Sequence, residues 1–575
     1  MLPHLLSTLF LSWLLSMTAA PTLLTDPFLQ LPEASTVRVV WFTEFEGTQH
    51  TVDYGDEWQQ TAIAQTTKLT RVREDQDSQI ADPPTHPVPR AIWRHEAIVT
   101  GLTPDQRVPY RVSSTRADGE TVHSDTFTLA PQPAPGRSLK VLLTSDHQLK
   151  PMVAANLQKV VETVGQLDLV LVAGDLVNIP DRASEWFDDQ KGGAFFPALQ
   201  GRATYALPLG KTGETAVYRG AAIVQSTPMY TAIGNHEVMG RFSSAKTLKE
   251  QFNDPVPRAV AEQRYKPTAE WSNPTNNPKV KAAWIKNHSF NSDTYEQIFT
   301  LPTNPAGHSR YYAVTFGDIR LIVLYATNVW RSPSLASDVR GKYRERTSDL
   351  NTPEAWGYGQ HIFEAIAPGS DQYTWLQAEL RSPEFQTAPY KIVMLHHPPH
   401  SIGENSVPAY TDPVQQIDRD RTGQVSAIRY EYPQSQDYLL RDVMPLLEQA
   451  GVHLVFYGHS HLWNRFVSPA GTHYLESSNV GNSYGAFVGK HRRPVPTNDQ
   501  ETYEETGNPG GLDPIVPTLA PLRDDRGQPL PYLASNELTA FSILDTGTGT
   551  ISSYYFDTHQ PQSPVVKFDE FQVRS

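Results

Sequence analysis

The chain has 575 residues, 48 Lys+Arg against 62 Asp+Glu for a formal net charge of −14, and no cysteine. A hydrophobic fraction of 39% excludes a polytopic membrane protein, and 11 Trp, 25 Tyr and 22 Phe can build a core that low-complexity chains lack. The acidic balance argues against non-specific nucleic-acid binding, and without cysteine any metal must be held by N and O atoms.

Leu5 to Leu15 form an apolar run too short to span a bilayer, and Thr18 and Ala20 are small residues at plausible −3 and −1 positions. The expectation is a signal peptide over 1–20, cut after Ala20, although its first residues carry no Lys or Arg. The mature protein is then exported, periplasmic or extracellular, with no transmembrane segment.

Residues 26–130 read as short alternating strands separated by turn residues (STVRVVWFTEF, HTVDYG, HEAIVTGL, VPYRVSSTRADGETVHSDTFTL), the pattern of a β-sandwich. A Pro-rich linker follows from Ala130 to Ser138. From Leu139 the pattern changes to that of an α/β domain extending to about residue 560. LKVLLTS and LDLVLVA are buried strands around an amphipathic helix, Met152 to Thr163. MYTAI, YYAVTFG, IRLIVLYA, YKIVML and HLVFY are further strands, with a hairpin turn at Gly317-Asp318. Asp371–Arg381 and Gln436–Ala450 read as helices, and TAFSILDT with TISSYYFDT as an edge hairpin. Long insertions are expected near 181–228, 240–308 and 484–535.

Five segments share one design: each follows an apolar strand and ends in residues that can hold a metal. They are Ser145-Asp146-His147-Gln148, Gly174-Asp175-Leu176-Val177-Asn178, Gly234-Asn235-His236-Glu237, His396-His397-Pro398 and Gly458-His459-Ser460-His461. Such loops fall in the crevice where α/β sheets bind ligands. Asp175 has two oxygens with which to bridge two cations. Asn235 offers a neutral carbonyl oxygen, and His396, His459 and His461 offer ring nitrogens.

The order of these segments resembles the calcineurin-like metallophosphoesterase superfamily over about 139–490, and the N-terminal strands resemble the fibronectin-like domain of purple acid phosphatases. The resemblance implies a four-layer α/β/β/α domain preceded by a small all-β sandwich. It implies one metal held by Asp146, Gln148, Asp175 and His461, and another held by Asp175, Asn235, His396 and His459. Two divalent ions of Fe, Mn or Zn suit such donors. It further implies a secreted phosphatase that hydrolyses small-molecule phosphate monoesters by attack of a metal-bound hydroxide. Asp175 and His236 are then catalytic, with Asn235, His236 and His397 contacting substrate. A phosphodiesterase or nucleotidase of the same superfamily is the near alternative, and a non-catalytic cell-surface binding protein the distant one.

Two positions depart from the family pattern. Gln148 stands where the family has His, and His147 falls one residue early. Asn178 stands where purple acid phosphatases have the tyrosine that binds ferric iron, so the purple colour should be absent. Arg465 is expected either to neutralise substrate or to form a surface salt bridge, and His400 either to bind substrate or to lie exposed. Gly481 to Gly485 matches G-x-S-x-G, but no helix is expected after it, which argues against a serine hydrolase.

Overall fold

The computed structural model describes residues 22–210, 213–329, 331–332, 335–405, 408–493 and 504–574; the expected signal segment, 1–20, lies outside the described residues. Among the described residues, no helix is long and apolar enough to cross a membrane.

The N-terminal region is all-β. One antiparallel sheet orders Phe28–Gln30, Val37–Thr43, Trp93–Val99 and Gln65–Lys68. The other orders Thr121–His123, Val108–Thr115, Gln49–Tyr54 and Gln60–Ile63, with Phe127–Leu129 also paired to Val108–Thr115. Alternation along Val37–Thr43 explains how this unit is held. Val37, Val39 and Trp41 face the core between the two sheets. Val40 and Phe42 turn the other way and join the main core of the following domain.

Phe42 packs on Phe187 and Phe28 on Phe196, with ring centroids 5.0 and 4.9 Å apart. Two buried ion pairs cross the same boundary, Arg73 to Asp181 at 2.8 Å and Arg182 to Asp75 at 2.9 Å. The Pro-rich stretch between the units is pinned as well: Gly136 N–H donates to Asp318 and Leu139 N–H to Thr546. The 181–228 insertion therefore seats the N-terminal unit on the larger domain.

The larger domain stacks two sheets. The first runs in the order Met229–Thr231, Leu169–Val172, Lys140–Thr144, Leu538–Asp545, Thr550–Asp557 and Val566–Gln572. Its first three strands are parallel. The second runs Tyr312–Phe316, Ile319–Val323, Tyr390–Met394, Leu454–Tyr457, His473–Ser477, Trp463–Val467 and Tyr532–Leu533. Ile319–Val323 through His473–Ser477 are parallel.

The central parallel strands Ile319–Val323, Tyr390–Met394 and Leu454–Tyr457 are mostly apolar because both faces of the second sheet are covered. Ile319, Leu321, Val323, Ile392, Met394, Leu454 and Phe456 fill the core between the sheets. Ile322, Val393, Val455 and Tyr457 face the opposite core, against Leu376 and the C-cap Leu380 of helix Asp371–Glu379, Val443 of Leu439–Val443 and Leu447 of Met444–Gln449. On the outer face of the first sheet, helix Val153–Val164 packs on Leu538–Asp545, where Asn156 donates to Thr539 Oγ1 and to the Ala540 carbonyl, both at 2.8 Å.

The hairpin at Gly317-Asp318 forms as expected, pairing Tyr312–Phe316 with Ile319–Val323. The C-terminal hairpin differs from its expected place. Leu538–Asp545 is an interior strand beside Lys140–Thr144, and a further strand, Val566–Gln572, forms the edge beyond residue 560. The segment Gln436–Ala450 is helical but not uniform: Leu439–Val443 is a π-turn leading into the α-helix Met444–Gln449. A π-turn absorbs an extra residue where a side chain or proline interrupts the α ladder, and Pro445 follows it here.

A candidate metal centre at the strand ends

All five loops leave the carboxyl ends of parallel strands, three from the first sheet and two from the second. They converge because the two sheets present those ends to one crevice. Close backbone approach is required there. A Cβ at Gly458 would collide with Ser145 Oγ and Asp146 Oδ2, and one at Gly234 would collide with the Asp175 carboxylate.

The loops adopt a strained backbone. Asp146, Gln148, Asp175, His459 and His461 have φ of 56°, 43°, 56°, 81° and 57°. Non-glycine residues seldom occupy this left-handed region, and such strain gathers at functional sites.

Asp175 is the hub. Its Oδ2 lies 3.2 Å from His396 Nε2 and accepts from Gln148 Nε2 at 3.0 Å, and its Oδ1 accepts from the His236 amide at 2.9 Å. His396 Nδ1 donates to the Ala173 carbonyl at 2.7 Å. Its Nε2 faces Asn235 Oδ1 at 3.2 Å and His459 Nδ1 at 3.3 Å, and these two atoms are 3.1 Å apart. Asp146 Oδ2 accepts from Ser145 Oγ and, at 2.9 Å, from the His459 amide. Its buried Oδ1 has no hydrogen bond and lies 3.6 Å from His461 Nε2. Ligand atoms of Asp146, Asp175 and His396 lie within 4.8 Å of one another, as do those of His396, His397 and His459.

The donor chemistry fits metal ions. A single proton on His396 Nε2 serves one of the lone pairs around it and leaves the others facing each other, whereas a cation satisfies them together. The unpartnered Asp146 Oδ1 and His459 Nε2 are further buried donors of the same kind.

Electrostatics point the same way. Burial lowers the His396 pKa, but the Asp175 carboxylate outweighs it and raises the ring to about 9. Burial opposes ionisation of Asp175, yet His396 and His236 hold its carboxyl below the ordinary value. Burial pushes the Asp146 carboxyl up and keeps His459 and His461 well below the usual histidine value, as neutral rings with lone pairs to give.

A cavity of about 370 Å³ opens over the centre, and its walls include Gln148, Asp175, Asn235, His236, His459 and His461. His236 donates through Nδ1 to the Asn178 carbonyl at 2.7 Å and packs on Phe252, which leaves Nε2 as its free nitrogen. His147 turns away to Thr144 Oγ1 and Phe195. At the tyrosine position of purple acid phosphatases, the Asn178 side chain donates to the Gln148 carbonyl at 2.8 Å.

Three other side chains, His397, His400 and Arg465, differ from their expected places, whereas Ser483 agrees with the sequence reading. His397 is fully buried, bonded to Thr327 Oγ1 and stacked on His459 with centroids 4.0 Å apart; it is not among the cavity-lining residues. It supports a ring of the cluster from behind, where the sequence suggested a substrate contact. His400 is buried against Tyr474 and accepts from Asn508. Arg465 neither meets the cavity nor lies on the surface: it forms a buried pair with Asp569 at 2.6 and 3.2 Å. Ser483 Oγ donates to the His461 carbonyl, and no helix follows Gly485 among the described residues.

Several residues that shape the site carried no assigned role in the sequence. Glu237 accepts from the amides of Asp175, Leu176 and Gly234 and ties two of the loops together. Glu476 does the same for the His459–His461 turn, accepting from Ser460 N–H, Ser401 Oγ and Asn464 Nδ2. Buried Lys150 makes no hydrogen bond through Nζ; burial brings it down to about 8 against the pull of Asp146 and Asp175. Tyr484 stacks on His461 at the cavity wall.

Residues 25–130 match the purple acid phosphatase N-terminal domain. Among solved structures the chain resembles the purple acid phosphatase PPD1 from yellow lupin (Lupinus luteus) seeds. The TM-score is 0.51 at 14% identity, covering 95% of this chain and 73% of that one. It also resembles PhoD, with a TM-score of 0.46 at 12% identity over 96% and 90% of the two chains. No curated protein matches the chain at a significant level. Residues 139–462 match the model for calcineurin-like phosphoesterases, and the chain belongs to that family.

Proposed function

We propose that this protein is an exported, dinuclear-metal phosphoesterase that hydrolyses phosphate monoesters. The observation that carries the reading is the convergence of lone pairs from Asp175, Asn235, His396 and His459 at the strand ends. Asp146, Gln148, Asp175 and His461 would hold one ion, and Asp175, Asn235, His396 and His459 the other. The pair would polarise the phosphoryl oxygens and supply a nucleophile near neutral pH.

The remaining work falls to the chain. Glu237 and Glu476 hold the loop amides and fix the donors in place. His236 lines the cavity with its Nδ1–H on the Asn178 carbonyl. That bond orients the ring so that Nε2, when the ring carries a second proton, can give it to the departing alcohol oxygen. Asn178 supplies no phenolate, which favours divalent ions over ferric iron. Export rests on the apolar N-terminal run and its small-residue cleavage pattern.

The test is hydrolysis of p-nitrophenyl phosphate and bis-p-nitrophenyl phosphate by protein reconstituted with Mn, Fe or Zn, before and after exhaustive chelation. The proposal expects a monoester preference and loss of turnover on chelation. Full activity in chelated protein contradicts it, and a diester preference replaces the monoester assignment.

A further inference from the structure

Beside the metal centre lies a second, larger cavity of about 790 Å³. The two share Asn235, Lys249, Phe252 and Asn253 as walls, so one ligand can occupy both. The second is basic on a chain of net charge −14. Arg241, Lys246, Lys249, Arg331, Arg340 and Arg346 line it, against the acids Glu250, Asp254 and Glu354.

Most of these cations already have partners. Arg241 grips Asp254 with two bonds of 2.8 Å, Arg346 bonds Asp349, and Arg340 lies near Glu345 and Asp349. Arg331 does not. It is 7% exposed, and its Nε and Nη2 have no hydrogen bond. Burial and the neighbouring Arg340 lower its pKa only to about 10, so it is charged at neutral pH. Glu345, which acts on it electrostatically, accepts instead from the Gly357 and Tyr358 amides and from the Tyr430 hydroxyl.

The guanidinium lies flush against Gly357, where any Cβ would strike it. A buried, unpaired guanidinium is costly to keep and matches the planar, bidentate geometry of a phosphate. Lys249, exposed and without an ion pair among the described residues, stands on the wall common to both cavities.

We propose that this groove is a second anion site, and that the enzyme's substrates are phosphate esters carrying a further phosphate, which Arg331 binds while the scissile group sits at the metal centre. The inference rests on the phosphoesterase reading of that centre. It adds that substrate choice is set by Lys249 from the 240–308 insertion together with Arg331, Arg340 and Arg346.

The test compares kcat/KM for fructose 1,6-bisphosphate against fructose 6-phosphate and for ADP against AMP. The first pair separates two phosphates by a carbon skeleton and the second places them adjacent. At least one pair should show a preference of about tenfold or more for the doubly phosphorylated member, the scale of a charge-assisted hydrogen bond. Arg331→Gln should collapse that ratio towards unity. Lys249→Gln, an exposed substitution that leaves folding intact, should reduce it by about threefold. No preference in either pair, or a preference that survives both substitutions, overturns the proposal.

Calorimetric titration of the chelated protein with the same ligands separates this outcome from failure of the catalytic reading. Binding that Arg331→Gln abolishes supports the anion site even without turnover. Equal binding by both proteins overturns it.

Discussion

His396 Nε2 lies 3.2 Å from Asp175 Oδ2 while the opposite ring nitrogen is tied to the Ala173 carbonyl. The pairing fixes both the orientation of the ring and the charge it carries when no metal is present. Burial alone would lower its pKa, and Asp175 raises it to about 9.

The folded-state value lies above the unfolded one, near 6.5. The stabilising contribution of His396 in metal-free protein is therefore complete below about pH 6.5 and is lost as pH rises through about 9. Metal must displace this proton, so affinity should increase with pH over the same window. Calorimetry at pH 7 in buffers of different ionisation enthalpy should detect proton release on metal binding. Binding without release would remove His396 from the ligand set.

His236→Ala should separate substrates by leaving group. An alkyl phosphate needs its departing oxygen protonated, so kcat should fall by about 10²- to 10⁴-fold. p-Nitrophenolate leaves without help, and its loss should be much smaller. Equal losses would mean that His236 positions the substrate and transfers no proton.

Gln148→His restores the residue common in the family at a position where Gln148 already reaches Asp175 at 3.0 Å. Imidazole is the stronger ligand for Mn, Fe and Zn. The variant should hold its weaker ion about tenfold more tightly in a chelator competition. Unchanged affinity would place Gln148 outside the coordination sphere.

Arg465→Leu should destabilise the fold by about 3–5 kcal/mol, because Asp569 is left buried without its partner. The double replacement Arg465→Leu with Asp569→Leu should cost less than the sum of the two. Urea unfolding of the three variants measures the coupling. Additive effects would mean that the pair contributes little.

The parts of the fold most legible in sequence were strands covered on both faces. IRLIVLYA, YKIVML and HLVFY are apolar apart from a single polar or charged residue each, because each strand lies between two cores, and LDLVLVA is buried throughout Leu169–Val172 in the main core. The loops that follow them were legible for the same reason, since each begins where apolar character stops. The edge strand Val566–Gln572 was not, because VKFDEFQ mixes charges into a half-exposed strand. The hairpin Val414–Glu431 was missed on similar grounds: VQQIDR is largely exposed and polar.

Within the site, the metal-donor side chains left a motif, whereas some supporting residues outside the motifs, such as Glu476, did not. Glu476 lies in a strand after the last motif and acts by receiving backbone amides, which no spacing rule records. Arg465 sits four residues after His461, yet its partner Asp569 is 104 residues away. His397 adjoins His396 in sequence, but neighbouring residues of an extended segment point apart, and its ring ends behind His459.

The most direct measurement is a metal titration. Chelated protein is supplied with increasing equivalents of Mn, Fe or Zn, and hydrolysis of p-nitrophenyl phosphate is followed alongside Asp175→Asn. Activity should rise and saturate at two equivalents per chain. The variant, which keeps an oxygen to accept the His236 amide but loses the bridging charge, should stay folded and fall by at least about 10³-fold. Turnover at zero equivalents, or none with both positions filled, would contradict a dinuclear phosphoesterase.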